Sequence, residues 1–313
     1  MLRIIGKLLL LGALAVMLKF ALLVALRRYV PDYMAESVVK EARLHAPNHN
    51  RVILIGGSGV AFGTDSAAIS GAVSRPVVNM GLHGGLGLEY MLREAADGIR
   101  PGDLAVLIPE YELLASEHSG SGPELLLRLQ FNPRAARYLG WWDWWLAARV
   151  IALSNRKSAN AMLVGIRHGS AYQPVAYSAH SFNPEGDAVA HLDQPHVRLL
   201  EPYGIGPPDS HVVATVAGFC SRVRSSGADC VLVFPALAQS HFTLNRPQIE
   251  KIASALSAAV PAISTPDEWV YPDSWFFDTV YHASRAARQK RSERLGQVLN
   301  AYLQNHASQT ARR

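Results

Sequence analysis

Four short apolar runs, each closed by glycine or proline, most constrain the fold of this 313-residue chain. They read RVILIGG from Arg51, RPVVNMG from Arg75, GDLAVLIP from Gly102 and GADCVLVFP from Gly227. A weaker fifth run, VPAISTP, begins at Val260. Runs of this length without polar alternation are typical of parallel strands that are buried on both faces.

Helical patterns lie between these runs, at Leu86–Gly98, Pro208–Ser225, Arg246–Ala259 and Ser284–Gln304. Strands that alternate with helices predict an α/β fold, because a parallel sheet needs crossover helices on its faces. We therefore expect a three-layer α/β/α domain with a flavodoxin-like parallel sheet. Residues 116–207 break the alternation, and we interpret them as an insertion or lid on the same domain.

The N-terminus carries an apolar segment, Leu8–Leu26, interrupted only by Lys19. Its 19 residues would form a helix of about 28 Å, close to the hydrocarbon thickness of a bilayer. Arg27 and Arg28 follow where a cleavable signal peptide needs small residues, so we expect an uncleaved anchor. Lys19 either snorkels toward an interface or faces a polar group of a partner membrane protein. The expected organisation is an anchor at 1–30, a stalk at 31–50, a domain at 51–305 and a tail at 306–313.

A short N-terminal tail before a long domain predicts a single-pass inner-membrane protein with its domain in the periplasm. The net charge of +5 is mild and its basic residues are dispersed, so no nucleic-acid partner is expected. The basic run after Ser284 is interpreted as a solvated helix face. Cys220 and Cys230 are expected as buried free thiols, with a single disulfide as the alternative. The sequence WWDWW, Trp141–Trp145, is either a packed helix face or an interfacial patch against the bilayer or a membrane partner.

Chemistry-bearing residues follow the predicted strands. Ser58 stands on a glycine-flanked turn after the first run, in LIGGSG, which suits a nucleophile whose own N–H can bind an oxyanion. The turn is neither a P-loop nor a dinucleotide fingerprint. A second glycine loop, NMGLHGG, ends at Gly85, and Asp278 and His282 precede the last helix.

Serine after the first strand, glycine after the second, and Asp before His near the C-terminus is an order that resembles SGNH (GDSL-like) hydrolases, across roughly 51–301. The resemblance implies that Ser58 is the nucleophile, His282 the general base and Asp278 its orienting carboxylate. It also implies an oxyanion hole from the N–H groups of Ser58 and Gly84. Gly81 or Gly85 are alternatives to Gly84.

Two departures from the family pattern stand out. Its third block supplies an asparagine, whereas this chain has PEYE from Pro109, so that Tyr111 or nothing donates there. Three residues separate Asp278 from His282 where the family has two, so Asp278 can cap the turn instead of touching the imidazole. Glu110 and Glu112 are interpreted as helix caps in preference to acid–base groups.

The histidines outside this order match no metal-binding spacing. We expect His180, His191 and His196 to be structural or exposed, and His83 to neighbour the substrate. No metal or cofactor is expected.

The anchor and altered third block resemble membrane-anchored SGNH-like proteins that work beside a membrane-bound O-acyltransferase. The first hypothesis is therefore a serine esterase or O-acyltransferase acting on an exported polysaccharide. It would meet that acyltransferase through the anchor and Trp141–Trp145. The second hypothesis is a non-catalytic accessory protein that binds glycan or docks the acyltransferase.

Overall fold

A parallel sheet of four strands forms the centre of the fold. The computed structural model describes residues 2–27, 32–115, 120, 122–153, 167, 175–195, 197, 199 and 201–310. The strands are β1 (Val52–Ile55), β2 (Val77–Asn79), β3 (Leu104–Leu107) and β4 (Asp229–Leu232), in the order β2-β1-β3-β4. Each of the four predicted apolar runs is therefore confirmed as a strand.

The pairing of these strands is parallel throughout. Val52 lies opposite Val77 on β2 and opposite Leu104 on β3, and Leu104 lies opposite Asp229 on β4. Every residue of β1 and β3 is buried. Burial on both faces explains why these runs lack polar alternation.

The weaker fifth run does not form a strand of this sheet. It contributes a single parallel bridge, between Ala262 and Leu232. A separate parallel pair instead joins β5 (Leu237–Ala238) to β6 (Val270–Tyr271).

The helices lie between the strands and at both ends of the described chain. They are α1 (Leu2–Arg27), α2 (Glu36–Leu44), α3 (Ser58–Gly63), α4 (Ser66–Val73), α5 (Leu88–Gly98), α6 (Tyr111–Leu114), α7 (Gly122–Phe131), α8 (Trp141–Leu153), α9 (Ser210–Ser225), α10 (Gln239–Ala259) and α11 (Arg285–Thr310). Short 3₁₀ turns include Gly84–Leu86, Val175–Tyr177 and Asp273–Trp275. The α/β class predicted from the sequence is confirmed.

Two helices run further than their sequence patterns indicated. Helix α10 begins at Gln239, seven residues before the predicted start at Arg246, and it continues through Pro247. Helix α11 continues to Thr310, so the first part of the predicted tail at 306–313 is helical. Some predicted features lie outside the described residues: Arg28, His196 and part of the predicted insertion, chiefly residues 154–166 and 168–174.

The described part of the predicted stalk belongs to the domain. Tyr33, Met34 and Leu44 are buried in the hydrophobic core. The Lys40 ammonium is also buried and donates to the carbonyl oxygen of Asn79, at 2.9 Å, and to that of Gly186. Because these contacts fix α2 against the domain, the stalk interpretation is corrected.

Helix α1 contains a stretch, Arg3–Ala25, that is long and apolar enough to cross a membrane. Most of its side chains are exposed. Leu23 is buried, Phe20 packs against the core, and α1 contacts α7 and α8. The apolar helix therefore packs on the domain near its C-terminal end.

The two cysteines form a disulfide, which corrects the expectation of free thiols. Cys220 on α9 and Cys230 on β4 have Cα atoms 5.2 Å apart. Helix α9 ends at Ser225, and a turn through Gly227, with φ +84°, folds the chain back into β4. This turn lays the end of α9 beside the start of β4 and so brings the two cysteines together.

Candidate functional site

Ser58 stands on a tight turn between β1 and α3. A Cβ on Gly56 would lie 2.3 Å from the Ile108 carbonyl oxygen, and one on Gly57 would lie 2.6 Å from both Glu110 carboxylate oxygens. Only glycine fits such close approaches. The two glycines therefore let the turn pack against the chain that follows β3, and Ser58 emerges as the first residue of α3.

Asp278 and His282 form a hydrogen-bonded pair. The Nδ1 atom of His282 lies 2.8 Å from Asp278 Oδ1. The Phe277 N–H donates to the His282 carbonyl at 2.8 Å, and the His282 N–H donates to Thr279 Oγ1 at 3.1 Å. This closed loop folds the three residues between Asp278 and His282 back on themselves, so the carboxylate reaches the imidazole.

Tyr177 completes this pair and was not anticipated. Its hydroxyl donates to Asp278 Oδ2 and lies 3.1 Å from His282 Nδ1. Phe62 stacks on the imidazole with ring centroids 4.0 Å apart and planes within 9°. Tyr177 comes from the irregular region between β3 and β4, where no local sequence pattern marks it.

The electrostatics favour an ionised Asp278. Burial alone would raise the pKa of Asp278, but the hydrogen bonds from His282 and Tyr177 and the imidazole charge outweigh it and hold that pKa below its ordinary value. An ionised carboxylate accepts a hydrogen bond from Nδ1–H of His282. The proton then stays on Nδ1, and Nε2 carries the free lone pair that can act as a base.

Ser58, Gly84 and His282 line one cavity of about 390 Å³ at the carboxyl ends of the strands. Its other lining side chains are largely aromatic, among them Tyr33, Phe62, Tyr177, Tyr203 and Tyr281. Among the hydrogen bonds of the described residues, none joins Ser58 to His282. Catalytic hydrogen bonds are often longer in unliganded enzymes and tighten when substrate binds.

Gly84 is distinguished from the two alternative glycines by its N–H group. The Gly81 N–H donates to Asn79 Oδ1 at 2.9 Å, and the Gly85 N–H donates to His83 Nδ1 at 3.0 Å. The N–H groups of Gly84 and Ser58 have no acceptor within the described part of the chain. Both remain free to bind an oxyanion.

Tyr111, expected as a third oxyanion donor, lies in the core instead. It is 1% exposed and its ring stacks on Phe234 at 6.3 Å. Burial raises its pKa. As the first residue of α6, Tyr111 turns its ring inward, so the predicted donor role is wrong.

Glu110 follows β3 and faces the turn that carries Ser58. Its Oε2 accepts the Gly57 N–H at 3.0 Å, and its Oε1 accepts the Gly59 N–H at 2.7 Å. Burial raises the pKa of Glu110, although these N–H groups oppose the rise. The carboxylate thus holds both residues that flank Ser58, instead of acting as a simple helix cap.

Glu112 faces a different partner set. Tyr281 donates its hydroxyl to Glu112 Oε2 at 2.6 Å, and His241 Nε2 lies 3.3 Å from Oε1. Burial would raise the pKa of Glu112, but these two hydrogen bonds lower it. Glu112 therefore fixes the wall of the cavity and stays ionised.

The other histidines have structural surroundings. His83 lines the cavity, and burial lowers its pKa. His191 is buried with its Nε2 2.9 Å from the Ala283 carbonyl oxygen, and His180 is exposed. Across the described ranges, no group of three or more His, Cys, Asp or Glu side chains could hold a metal ion.

No protein-family model matches this chain. A comparison with curated proteins finds no match either.

Proposed function

We propose that this chain is a membrane-anchored, extracytoplasmic serine esterase or O-acyltransferase of SGNH type, acting on acyl groups of an exported polysaccharide. The observation that carries the proposal is the cavity lined by Ser58, Gly84 and the imidazole of the Asp278–His282 pair, where the N–H groups of Ser58 and Gly84 find no acceptor among the described residues. The order β2-β1-β3-β4 is that of flavodoxin-like sheets and supports a three-layer α/β/α domain.

The proposed reaction begins with Ser58 Oγ attacking the acyl carbonyl while His282 Nε2 takes its proton. Asp278 holds Nδ1–H and so fixes the tautomer. The N–H groups of Ser58 and Gly84 bind the oxyanion. The leaving oxygen takes the proton from His282 and departs, which leaves an ester on Ser58 Oγ. Water or a sugar hydroxyl then attacks this ester and gives its proton to His282, and the bond to Ser58 Oγ breaks as His282 returns the proton to it. The acyl group leaves as a carboxylic acid or as an ester of the polymer.

Location outside the cytoplasm is part of the proposal. Helix α1 supports a single-pass anchor in the inner membrane. The disulfide between Cys220 and Cys230 supports an oxidising compartment, because cytosolic thiols are kept reduced. The aromatic walls of the cavity offer flat apolar faces for a sugar ring. A membrane-bound O-acyltransferase is the proposed partner.

Labelling of the purified full-length protein with a fluorophosphonate tests this chemistry. The serine oxygen displaces fluoride from phosphorus, so a stable phosphonyl-serine forms only at an activated serine. We expect labelling of the native protein and of Ser225→Ala, which alters an exposed serine at the end of α9. Ser58→Ala should abolish labelling. Equal labelling of Ser58→Ala and the native protein would overturn the proposal.

A second candidate is a non-catalytic accessory protein that binds glycan or docks the acyltransferase. Two observations favour it: Ser58 and His282 share the cavity without a mutual hydrogen bond among the described residues, and Tyr111 does not supply a third oxyanion donor. Glycan binding that persists in a folded protein without any labelling at Ser58 would select this candidate.

A further inference from the structure

Helix α8 exposes a cluster of four tryptophans. Trp141 is 86% exposed, and Trp142, Trp144 and Trp145 are 42%, 47% and 44% exposed; we call these four side chains the Trp face. Tryptophan is highly buried on average in water-soluble proteins. A contiguous apolar patch of this kind usually marks a contact with a membrane or with another protein.

The position of α8 beside α1 identifies the contact. Trp144 shares an apolar groove with Val16, Met17 and Phe20 of α1. The α1 residues that meet the domain therefore recur along one stripe of the helix, which ends at the buried Leu23.

The depth of this contact follows from helix geometry. Val16 precedes Ala25, the end of the apolar stretch, by nine residues, which corresponds to about 14 Å along the helix axis. A bilayer's hydrocarbon layer is about 30 Å thick. If α1 crosses the membrane, the segment from Val16 to Ala25 spans about one leaflet, so side chains packed along it lie within the leaflet nearest the domain.

We propose that α8 is embedded in the bilayer leaflet nearest the domain, with the Trp face against lipid. Two charged residues of α8, Asp143 and Arg149, fit this placement. Asp143 turns inward, where it pairs with Arg93 and accepts the Gly140 N–H at 2.8 Å. Arg149 lies over the Trp145 ring at 5.4 Å, and an arginine side chain is long enough to keep its charge at a headgroup while its stem lies along apolar surface. Trp beside Arg is the composition of a membrane interface.

Lipid is preferred over a protein partner because the Trp face continues the surface of α1. The placement is independent of the proposed chemistry, since it uses no residue of the cavity. In this placement α8 binds one leaflet in addition to the anchoring by α1, and the domain rests directly on the bilayer.

Tryptophan fluorescence in lipid vesicles tests the placement. The full-length protein is reconstituted in phosphatidylcholine vesicles, with plain acyl chains or with chains brominated near the headgroup. The Trp face holds four of the six tryptophans. We expect bromolipid to quench most of the native emission, and Trp141→Phe to lose part of the quenchable share. Trp275→Phe, altered on a 3₁₀ turn of the domain, should leave that share unchanged.

The contrary result is equally clear. Potassium iodide, present on both sides of the vesicles, quenches tryptophans that lie in water. Strong iodide quenching that Trp141→Phe diminishes, together with no bromolipid quenching, would overturn the placement and point to a protein as the occupant. Because Trp141 is mostly exposed, its replacement by Phe leaves the core packing intact, which circular dichroism can verify.

Discussion

Replacing Glu110 with glutamine isolates the role of one carboxylate in holding the nucleophile turn. The two oxygens of Glu110 accept the N–H groups of Gly57 and Gly59, at 3.0 and 2.7 Å. Glutamine has nearly the same shape, but its amide offers one oxygen and one NH₂ group. One of the two glycine N–H groups would then face a donor. A buried N–H left unpaired costs about 1–3 kcal/mol.

The cost falls on the turn that carries Ser58, because Ser58 lies between the two glycines. We expect the turn to relax and Ser58 Oγ to move relative to His282. A displacement of about 1 Å can lower a rate by roughly 10²-fold. Glu110→Gln should therefore melt a few degrees lower and react with fluorophosphonate roughly 100-fold more slowly, measured well below its melting temperature.

Glu36→Gln provides the matched control. Glu36 on α2 is buried like Glu110, and burial likewise raises its pKa. It lies far from Ser58 in the chain and outside the residues that line the cavity. We expect Glu36→Gln to change stability without slowing labelling. Native labelling and melting in Glu110→Gln would refute the positioning role. Equal slowing of labelling in both variants would show that the effect comes from general destabilisation and not from the position of Ser58.

Three further predictions follow from contacts of the same site. Asp278→Asn should slow labelling by roughly 10⁴-fold because the imidazole takes the wrong tautomer, whereas Tyr177→Phe removes one hydrogen bond and should cost only about tenfold. Gly81→Ala should destabilise the fold by about 1–3 kcal/mol in urea unfolding, since its Cβ would lie 2.5 Å from a valine side chain. Gly84→Ala should unfold like the native protein, because its Cβ meets nothing within 4 Å. Burial lowers the pKa of His191 to about 4, whereas the unfolded chain has a histidine pKa near 6.5. The free energy of unfolding should therefore be highest above pH 6.5 and fall by up to about 3 kcal/mol as pH drops through this range. His191→Gln should flatten that loss in unfolding curves recorded across this pH range.

Each of these predictions has a contrary outcome. Asp278→Asn labelling at the native rate would show that Asp278 only caps its turn. Equal unfolding of Gly81→Ala and Gly84→Ala would contradict the close packing of Gly81. An unchanged acid transition in His191→Gln would assign the acid sensitivity to other groups.

The sheet was predictable from the sequence because its causes are local. A buried parallel strand needs an uninterrupted apolar run, and Val52–Ile55 and Leu104–Leu107 show such runs directly. The glycine turn before Ser58 was visible for the same reason. The sequence did not decide whether Asp278 touches His282. The contact depends on a backbone hydrogen bond from Phe277 to His282 that closes the loop, and residue types alone do not indicate this bond.

The partners of these residues were not predictable, because they come from distant positions. Tyr177 meets Asp278 across 101 residues, and Glu110 meets Gly57 across 53. Prediction of the disulfide would have required knowing that α9 packs on β4. Prediction of the burial of Tyr111 would have required knowing the direction of α6. In each case the deciding contact is tertiary, and the local sequence is compatible with either outcome.

The position of Tyr33 connects the anchor to the cavity. Tyr33 lines the cavity and donates its hydroxyl to the Leu82 carbonyl at 2.6 Å, yet it follows Arg27, the end of α1, by only six residues. Six residues span at most about 22 Å when fully extended. Since α2 packs into the domain and does not form a spacer, the part of the cavity that Tyr33 lines is held within this distance of the end of α1. If α1 is the proposed anchor, a substrate for this cavity would present its acyl group near the bilayer, where the proposed acyltransferase partner would act.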